Sequence, residues 1–345
     1  MWNGRFTLNA DAYEKTTKDL LQQKTIAYSS GFTSMYMNQG SIRNRGVEFS
    51  ADATLVASRN VQWNLGGNIS INRNKIIRIG ESGESGEIYM APGDKRRVNY
   101  FYGAPMTSSG TNMGALNIFI EGQPMGLFYA FKTDGIVQQG ETGPGFVPGE
   151  TVGEGYIKYV DVNGNGYIDD RDRTLIGNPN PKFTYGFNTS FSYKRLTLTA
   201  NFTGSYGNDV YNLNNNNEFK TNQITYNVRR CAYVDAWSAE NPGGRYPALG
   251  KTSATDTRYL DICIEDGSFL RLANIALAYD IPLGKKGFVK ALNVAFSASN
   301  LVVWSDYSGW DPEVNSFGAN VRRMGIDSNS YPGARTYSFD LKFTF

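Results

Sequence analysis

The last ten residues of this 345-residue chain constrain its fold more than any other segment. Large apolar side chains occupy every second position, and polar residues occupy the positions between them. The apolar residues are Tyr337, Phe339, Leu341, Phe343 and Phe345. Because side chains alternate between the two faces of a strand, one face here is apolar and the other polar. Such a strand is typical of a transmembrane β-barrel, in which one face meets lipid and the other a wet lumen.

The same alternation recurs along the chain and predicts an all-β protein built from antiparallel strands. One clear example has Trp63, Leu65, Ile69 and Ile71 on its apolar side. The ten predicted strands lie near residues 3–16, 44–57, 61–74, 113–121, 126–134, 181–193, 196–209, 268–281, 290–304 and 335–345.

The connections between these strands fall into a short set and a long set. The short turns lie at 58–60, 122–125, 194–195 and 282–290, and the long polar loops lie near 17–43, 75–112, 135–180, 211–267 and 305–334. Outer-membrane barrels have short periplasmic turns and long extracellular loops. The sequence therefore predicts a transmembrane antiparallel β-barrel. A soluble all-β protein with large inserted loops is the alternative, although unstructured loops this long are unusual in compact domains.

The composition agrees with a barrel that crosses a membrane by strands. Mean hydropathy is −0.41, and the chain has no apolar run of the length that a membrane helix requires. Barrel strands present only every second residue to lipid, so their average hydropathy stays low. Aromatic residues make up 14% of the chain, as expected where aromatic girdles mark both membrane interfaces. The formal net charge of +2 gives no general attraction for nucleic acid, and we predict no nucleic-acid partner.

The residue types argue against catalysis. The chain contains no histidine, which excludes a Ser-His-Asp or Cys-His nucleophile and disfavours a zinc site. Cys231 and Cys263 lack CxxC spacing, which leaves either two free thiols or one loop disulfide. Paired carboxylates occur in several loops, but no spacing fixes a general acid beside a general base. We predict that the protein is not an enzyme.

A calcium-binding loop is the sharpest local motif. Residues 161–172 match the calcium-loop template, with Gly166 at the sharp turn and Ile168 at the inward apolar position. The predicted ligands are Asp161, Asn163, Asn165, the carbonyl of Tyr167, Asp169 and Asp172. An Asp at the last position and neutral Asn at two others predict weak binding, with a Kd of about 10⁻⁴ to 10⁻³ M. A turn held only by side-chain-to-backbone hydrogen bonds is the alternative.

Two aromatic and acidic loop segments are candidate ligand surfaces. Trp310, Asp311 and Glu313 precede the last strand, and Trp237 lies in a similar segment. Aromatic faces beside carboxylates can stack on sugar rings or on peptide side chains. Trp and Tyr also mark membrane interfaces, and this alternative is favoured for Trp304 and Tyr307 and stays open for Trp310.

Segments spread over nearly the whole chain occur in the order found in one known family. They include NRGVEF (44–49), EGQPMGLFY (121–129), the calcium-like loop, IGNPNPKFTYGF (176–187), GSYGNDVY (204–211), FLRLANIAL (269–277), Asp311 to Glu313 and the final strand. With these segments the chain resembles the SusC/RagA family of TonB-dependent outer-membrane transporters.

The resemblance implies a fold, a location, a function and a set of partners. The family forms a barrel of about 22 strands filled by a plug. It lies in the outer membrane, imports oligosaccharides or peptides with a SusD-like lipoprotein as lid, and draws energy from TonB–ExbB–ExbD. The final strand, with Tyr337, Phe339, Leu341, Phe343 and Phe345, resembles the signal that the barrel-assembly machinery recognises. Outer-membrane lipid would surround the barrel.

The sequence departs from the family pattern on its N-terminal side. Its first residues lack the basic and apolar regions of a signal peptide, and no TonB box or plug precedes the strands. We therefore expect residues 1–345 to be the C-terminal part of the barrel domain, with about ten strands that supply barrel wall, loops and some ligand-facing positions. The alternative is a small stand-alone outer-membrane barrel that acts as a passive pore or a surface adhesin.

Overall fold

The chain folds into a broad antiparallel sheet and a body of packed loops at one end of it. The computed structural model describes residues 4–25, 31–32, 34–38, 40–80, 83–108, 111–219, 227–251, 258–283, 288–314, 316–318 and 320–345. Among these residues, no helix has the length and apolar character needed to span a membrane.

Strands dominate the secondary structure. They are β1 (Phe6–Lys18), β2 (Leu21–Thr25), β3 (Ser34–Asn38), β4 (Ser41–Ala57), β5 (Val61–Arg78), β6 (Glu84–Ala91), β7 (Asp94–Tyr102), β8 (Met106–Ser108), β9 (Thr111–Gly114), β10 (Asn117–Ile120), β11 (Leu127–Phe131), β12 (Thr133–Ile136), β13 (Gly143–Pro144), β14 (Thr151–Val152), β15 (Ile157–Tyr159), β16 (Arg173–Gly177), β17 (Phe183–Tyr193), β18 (Leu196–Tyr206), β19 (Asp209–Asn212), β20 (Ile264–Asp266), β21 (Phe269–Pro282), β22 (Ala291–Ser305), β23 (Ile326–Asp327) and β24 (Thr336–Thr344). The helices are α1 (Leu213–Glu218), α2 (Arg230–Val234) and the short 3-10 helices Asp170–Asp172, Asp261–Cys263 and Val321–Arg323.

Eight strands form one sheet in the order β1-β4-β5-β17-β18-β21-β22-β24, and each neighbouring pair is antiparallel. Residues 58–60, 194–195 and 283–290 make the three short connections, which share one end of the sheet. Residues 19–40, 79–182, 207–268 and 306–335 make the long connections at the opposite end. We call these the short-turn end and the long-loop end. The predicted antiparallel barrel strands and the separation of turns from loops are confirmed for these eight strands.

The register places the predicted apolar stripes on one side of the sheet, the apolar face, except where a register shift in β21 turns Arg271 to the other side. One row of directly paired residues crosses six strands and consists of Trp63, Phe191, Leu198, Leu277, Phe296 and Phe339. The opposite, polar face has a parallel row of Gly66, Asn188, Asn201, Asn274 and Ser299. Phe339 is 66% exposed and Phe296 51%, so none of the residues that the structure describes covers the apolar face there. An apolar face of this extent requires an apolar environment.

Two predicted barrel strands do not belong to the sheet. β10 and β11, predicted at 113–121 and 126–134, form a small closed barrel with β6, β7 and β16 in the order β10-β11-β16-β6-β7. Every residue of β10 and β11 is buried, so protein covers both of their faces. A membrane-barrel strand alternates between lipid and lumen, whereas these continuous apolar runs are typical of strands buried on both sides.

The turn at 122–125 lies at the end opposite to the one predicted. The Ile76 N–H donates to the Gln123 carbonyl at 2.9 Å, and the Met125 N–H donates to Asn74 Oδ1 at 2.7 Å. Both Asn74 and Ile76 belong to β5 near its long-loop end. The prediction of a periplasmic turn here was wrong, because the two flanking strands fold within a loop.

The long loops pack into one body with its own core. Phe128, Tyr211, Tyr259, Leu260 and Ile326 are each at most 3% exposed and come from three different long connections. Two of these connections, 207–268 and 306–335, are also joined by the sheet β20-β19-β23. The loop body is therefore a folded unit at the long-loop end of the sheet.

Candidate functional site

A cavity of about 810 Å³ lies where the polar face of the sheet meets the last long loop. On the sheet side a register shift between Leu272 and Asn274 interrupts the pairing of β21 with β22. Asn300 on β22 adopts a left-handed backbone with φ of 55°. Such a bulge bends a strand and re-aims its side chains. The lining residues are Thr203, Arg271, Ala273, Asn300, Asp311, Glu313, Val314, Ser316, Ser328, Asn329, Ser330, Tyr331 and Gly333.

Arg271 is the central charge of this cavity. Its NH2 group lies 2.6 Å from Asp311 Oδ1 and 3.3 Å from Glu313 Oε2. The Arg271 and Asp311 side chains are 8% and 15% exposed, whereas Glu313 is 65% exposed. A charge buried to this degree needs a partner of opposite sign, so the Arg271–Asp311 pair fixes the last loop to the sheet. Glu313 keeps most of its carboxylate surface open.

The rim of the cavity combines aromatic rings with neutral polar groups. Tyr331 lines the cavity and is 93% exposed, and Trp310 beside Asp311 is 82% exposed. Arg271 Nε is buried and has no hydrogen-bond partner among the described residues. Hydroxyl and amide groups from Asn300 and several serines complete the lining. This set can donate to and accept from a polar ligand while an aromatic ring stacks on it.

The structure separates the four predicted ligand-facing residues. Asp311 and Glu313 come together at the cavity, and Trp310 directly precedes Asp311 in the same segment. Trp237 instead lies in the loop-body core at 8% exposure, where its Nε1 donates to Gln138 Oε1 at 3.0 Å. Its ring packs among protein atoms and is not displayed on a ligand-facing surface.

The two residues assigned to the membrane interface also separate. Trp304 ends β22 and pairs with Leu270 on the apolar side, and it is 50% exposed. Tyr307 is buried and donates from its hydroxyl to Asp327 Oδ2 at 2.6 Å. Burial and this carboxylate raise the pKa of Tyr307 well above its usual value, so the phenol stays protonated. Tyr307 therefore belongs to the loop-body core rather than to the interface.

Sequence reasoning missed Arg271. Alternation places this residue on the same face as Ile275 and Leu277, and the register shift between Leu272 and Asn274 turns it to the polar face. The available signal was a charge within an otherwise apolar stripe, in the segment FLRLANIAL. Its partner lies 40 residues further along the chain, and only the fold brings the two together.

The calcium-like loop has a compact turn at the expected place. Gly166 has a left-handed φ of 88°, and Ile168 is buried at 1% exposure as the template requires. Asp161 accepts the N–H groups of Gly164 and Gly166, each at 2.7 Å. This turn geometry is compatible with a calcium loop and with an Asx turn that binds no ion. An oxygen that accepts one hydrogen bond keeps a second lone pair, which is available to a cation.

The other acidic residues of this loop differ in their surroundings. Asp172 is fully buried and accepts the N–H groups of Val162, Asn163 and Asp169 at 2.7–3.1 Å. Burial raises the pKa of Asp172, and those hydrogen bonds oppose the rise. The hydrogen bond from Arg171 lowers the pKa of Asp169. Within the described residues, no group of three or more His, Cys, Asp or Glu side chains could hold a metal ion; the predicted ligand set also includes Asn and carbonyl oxygens.

Comparison with known proteins finds similarity to TonB-dependent receptors. The family described as "TonB dependent receptor-like, beta-barrel" matches residues 1–117. TonB-dependent receptor P26 of Formosa agariphila is 33% identical over 100% of this chain and 33% of its own length. TonB-dependent receptor SusC of Bacteroides thetaiotaomicron is 30% identical over 99% of this chain and 30% of its own length. The chain thus spans about a third of the length of the curated relatives that it matches.

A solved structure described as the RagAB peptide transporter has a similar fold. It covers 100% of this chain and 34% of its own chain, with a TM-score of 0.72 and 26% sequence identity. The sheet order, the exposed apolar face, the family match and these relatives agree. The chain is therefore similar over its whole length to TonB-dependent receptors of the SusC/RagA type, and its eight-stranded sheet lies in the outer membrane with the apolar face toward lipid.

Proposed function

We propose that this chain forms part of the wall and of the extracellular loop body of a TonB-dependent importer of oligosaccharides or peptides. The observation that carries the proposal is the cavity at Arg271, Asp311 and Glu313, which joins the lumen side of the sheet to the outer loops. The relatives support it, because they are TonB-dependent receptors and one structure is named a peptide transporter. Such proteins are transporters rather than enzymes.

The sheet is proposed to belong to a larger closed barrel. β1 and β24 are its two edges, and within the described part of the chain each pairs on one side only. A spanning sheet in lipid cannot leave an edge unpaired, because its N–H and C=O groups would find no water. Further strands must therefore continue from β1 and β24 until the barrel closes.

The partners of the importer follow from the family. A SusD-like lipoprotein is proposed as the lid above the loop body, and TonB–ExbB–ExbD as the source of energy. The barrel-assembly machinery is proposed to recognise β24 through its apolar residues. The apolar residues of the final segment are between 49% and 66% exposed; they are Tyr337, Phe339, Leu341 and Phe343 of β24 and the terminal Phe345.

We assign ligand contact to Glu313 and Tyr331, which line the cavity, and to Trp310, the exposed residue next to Asp311. Trp310→Ala should lower uptake of the transported oligosaccharide or peptide about tenfold, equivalent to about 1.4 kcal/mol of binding free energy. Glu313→Gln should lower it less, because only the charge is removed. The measurement is uptake of labelled ligand by cells, corrected for receptor abundance in the outer membrane.

Phe288→Ala provides the matched control, since Phe288 is also 82% exposed but lies at the short-turn end. Uptake by the unmodified receptor should stop when TonB is removed. Uptake that continues without TonB would contradict active import and favour a passive pore. Unchanged uptake in Trp310→Ala would remove this ring from the ligand site.

We further propose that residues 161–172 bind Ca²⁺ weakly through the predicted oxygen set. Calcium at millimolar concentration should raise the thermal unfolding temperature of the receptor, since an ion that binds only the folded state stabilises it. Asp161→Ala combined with Asp169→Ala should abolish the shift, and magnesium at equal concentration should not reproduce it. A melting temperature that does not respond to calcium in the unmodified receptor would leave the loop as a plain Asx turn.

A further inference from the structure

Four cations form a compact block on the outward side of the sheet. β4 contributes Arg43 and Arg45, and β5 contributes Arg73 and Lys75. The register pairs Arg43 directly with Lys75 and Arg45 directly with Arg73. Like charges placed directly opposite on one face of a sheet repel each other. Two successive pairs of this kind require a compensating anion.

The four cations lie on the same side of the sheet as the apolar residues, between those residues and the long-loop end. Along β4 the side chains of Val47 and Phe49 face lipid, and Arg45 is the next residue on that face. Ile69 and Ile71 of β5 precede Arg73 in the same way. Successive residues on one face lie about 6.6 Å apart along a strand. The cations therefore stand just above the apolar band, at the height of lipid headgroups in the outer leaflet.

Protein carboxylates compensate this block only in part. Glu14 on β1 lies 2.5 Å from Arg45 Nε and 3.9 Å from Arg43 NH1. Among the residues that the structure describes, no other carboxylate makes an ion pair with any of the four cations. Arg73 NH1 donates to the carbonyls of Asn72 and Lys182, which carry no net charge. Four positive charges thus face one negative charge.

An unpaired strand edge does not explain why so few carboxylates lie near the four cations. β4 has β1 and β5 as neighbours, and β5 has β4 and β17, so both strands lie inside the sheet. Elsewhere the same rim carries aromatic rings, and Lys182 Nζ lies 5.9 Å from the centroid of the Tyr206 ring. Phe183 and Tyr206 stack at 5.0 Å on β17 and β18, and Trp304 occupies the corresponding side of β22. The cation block is therefore a local feature of one pair of strands.

We propose that Arg43, Arg45, Arg73 and Lys75 bind the phosphate group of an outer-leaflet lipid headgroup, whose acyl chains lie against the apolar face of β4 and β5. Guanidinium groups match phosphate oxygens in charge and in bidentate geometry. A membrane lipid fits better than free phosphate, since the apolar surface directly below the cations receives its chains. The site is separate from the transport cavity, which opens on the polar face.

The experiment uses the receptor purified from outer membranes and delipidated in a neutral detergent. Purified lipid A that carries its phosphate should raise the melting temperature, whereas dephosphorylated lipid A and inorganic phosphate should each produce much smaller shifts. The double variant Arg43→Gln with Lys75→Gln should retain at least fivefold less lipid A after detergent washing. Arg59→Gln with Lys194→Gln, at the short-turn end, is the matched control and should retain the unmodified amount.

A single charge reversal distinguishes this site from a general effect on folding. Lys75→Glu creates an attractive pair with Arg43, so it should raise the melting temperature in lipid-free detergent. The same change should remove the additional rise caused by lipid A. The proposal is overturned if lipid A stabilises Lys75→Glu as much as the unmodified receptor. It is also overturned if inorganic phosphate alone gives the full shift, or if the control variant loses lipid equally.

Discussion

Replacing Arg271 with methionine is expected to destabilise the attachment of the last long loop by about 3–5 kcal/mol. The change leaves Asp311 as a buried carboxylate without its cation, at a position that is only 15% exposed. Removing one partner of a buried pair costs far more than removing both, because the remaining charge has lost its hydration. Limited proteolysis of residues 306–335 in native outer membranes, followed over temperature, measures the loss.

Two further variants separate this mechanism from a simple loss of packing. Arg271→Met combined with Asp311→Asn should recover most of the stability, because it leaves no unpaired charge and keeps an acceptor for the Glu313 N–H. Glu313→Gln should cost about 0–1 kcal/mol, as expected for an exposed partner. If the double variant is cleaved as readily as Arg271→Met, then the charge of Asp311 is not the cause.

Replacing Phe202 with arginine is expected to destabilise the sheet by about 2–4 kcal/mol, the cost of a charge at mid-depth on a lipid-facing strand. Phe202 lies on the apolar face, where its ring stacks on Phe187 at 4.2 Å between centroids. An arginine there cannot reach water as easily as it could from either rim. The temperature at which the receptor loses its folded mobility on a denaturing gel measures the effect.

The neighbouring residue supplies the matched control. Asn201→Arg places the same charge on the polar face, where Asn188 and Asn274 are its paired neighbours. It should change the unfolding temperature little, since the lumen side is wet. Phe202→Leu removes the stacked ring but not the apolar character, and should cost about 0.5–1.5 kcal/mol. Equal destabilisation by the two arginine variants would contradict the assignment of faces.

Alternation predicted the sheet because each of its strands has lipid on one face and polar surroundings on the other. The period-2 pattern of residues such as Leu196, Leu198 and Phe202 is visible without knowledge of any partner strand. The same reasoning gave the wrong location for β10 and β11. Protein buries both faces of these strands, so their apolar runs do not indicate which face would contact lipid. Length and hydrophobicity alone cannot distinguish such strands from membrane strands.

The candidate site was only partly predictable for a different reason. Residue type alone identified Trp310, Asp311 and Glu313 as candidate ligand-facing residues. Residue type does not predict which side chains contact each other in the folded protein. Asp311 meets Arg271 across 40 residues of sequence, and Trp237 meets Gln138 across 99. Such pairings depend on how several loops pack together, which local sequence does not encode.

The packing of the loops has a consequence for the order in which this chain can fold. Arg322 and Arg323 donate to the carbonyls of Tyr102, Gly103 and Pro105, across 218 to 220 residues of sequence. Hairpins such as β17-β18 close over a two-residue turn and can form early in folding, because their contacts are local. The second long connection must wait for the last one, and closing so long a connection is slow. The cell-surface side of this protein should therefore mature last, after the strands below it have been laid down in the membrane.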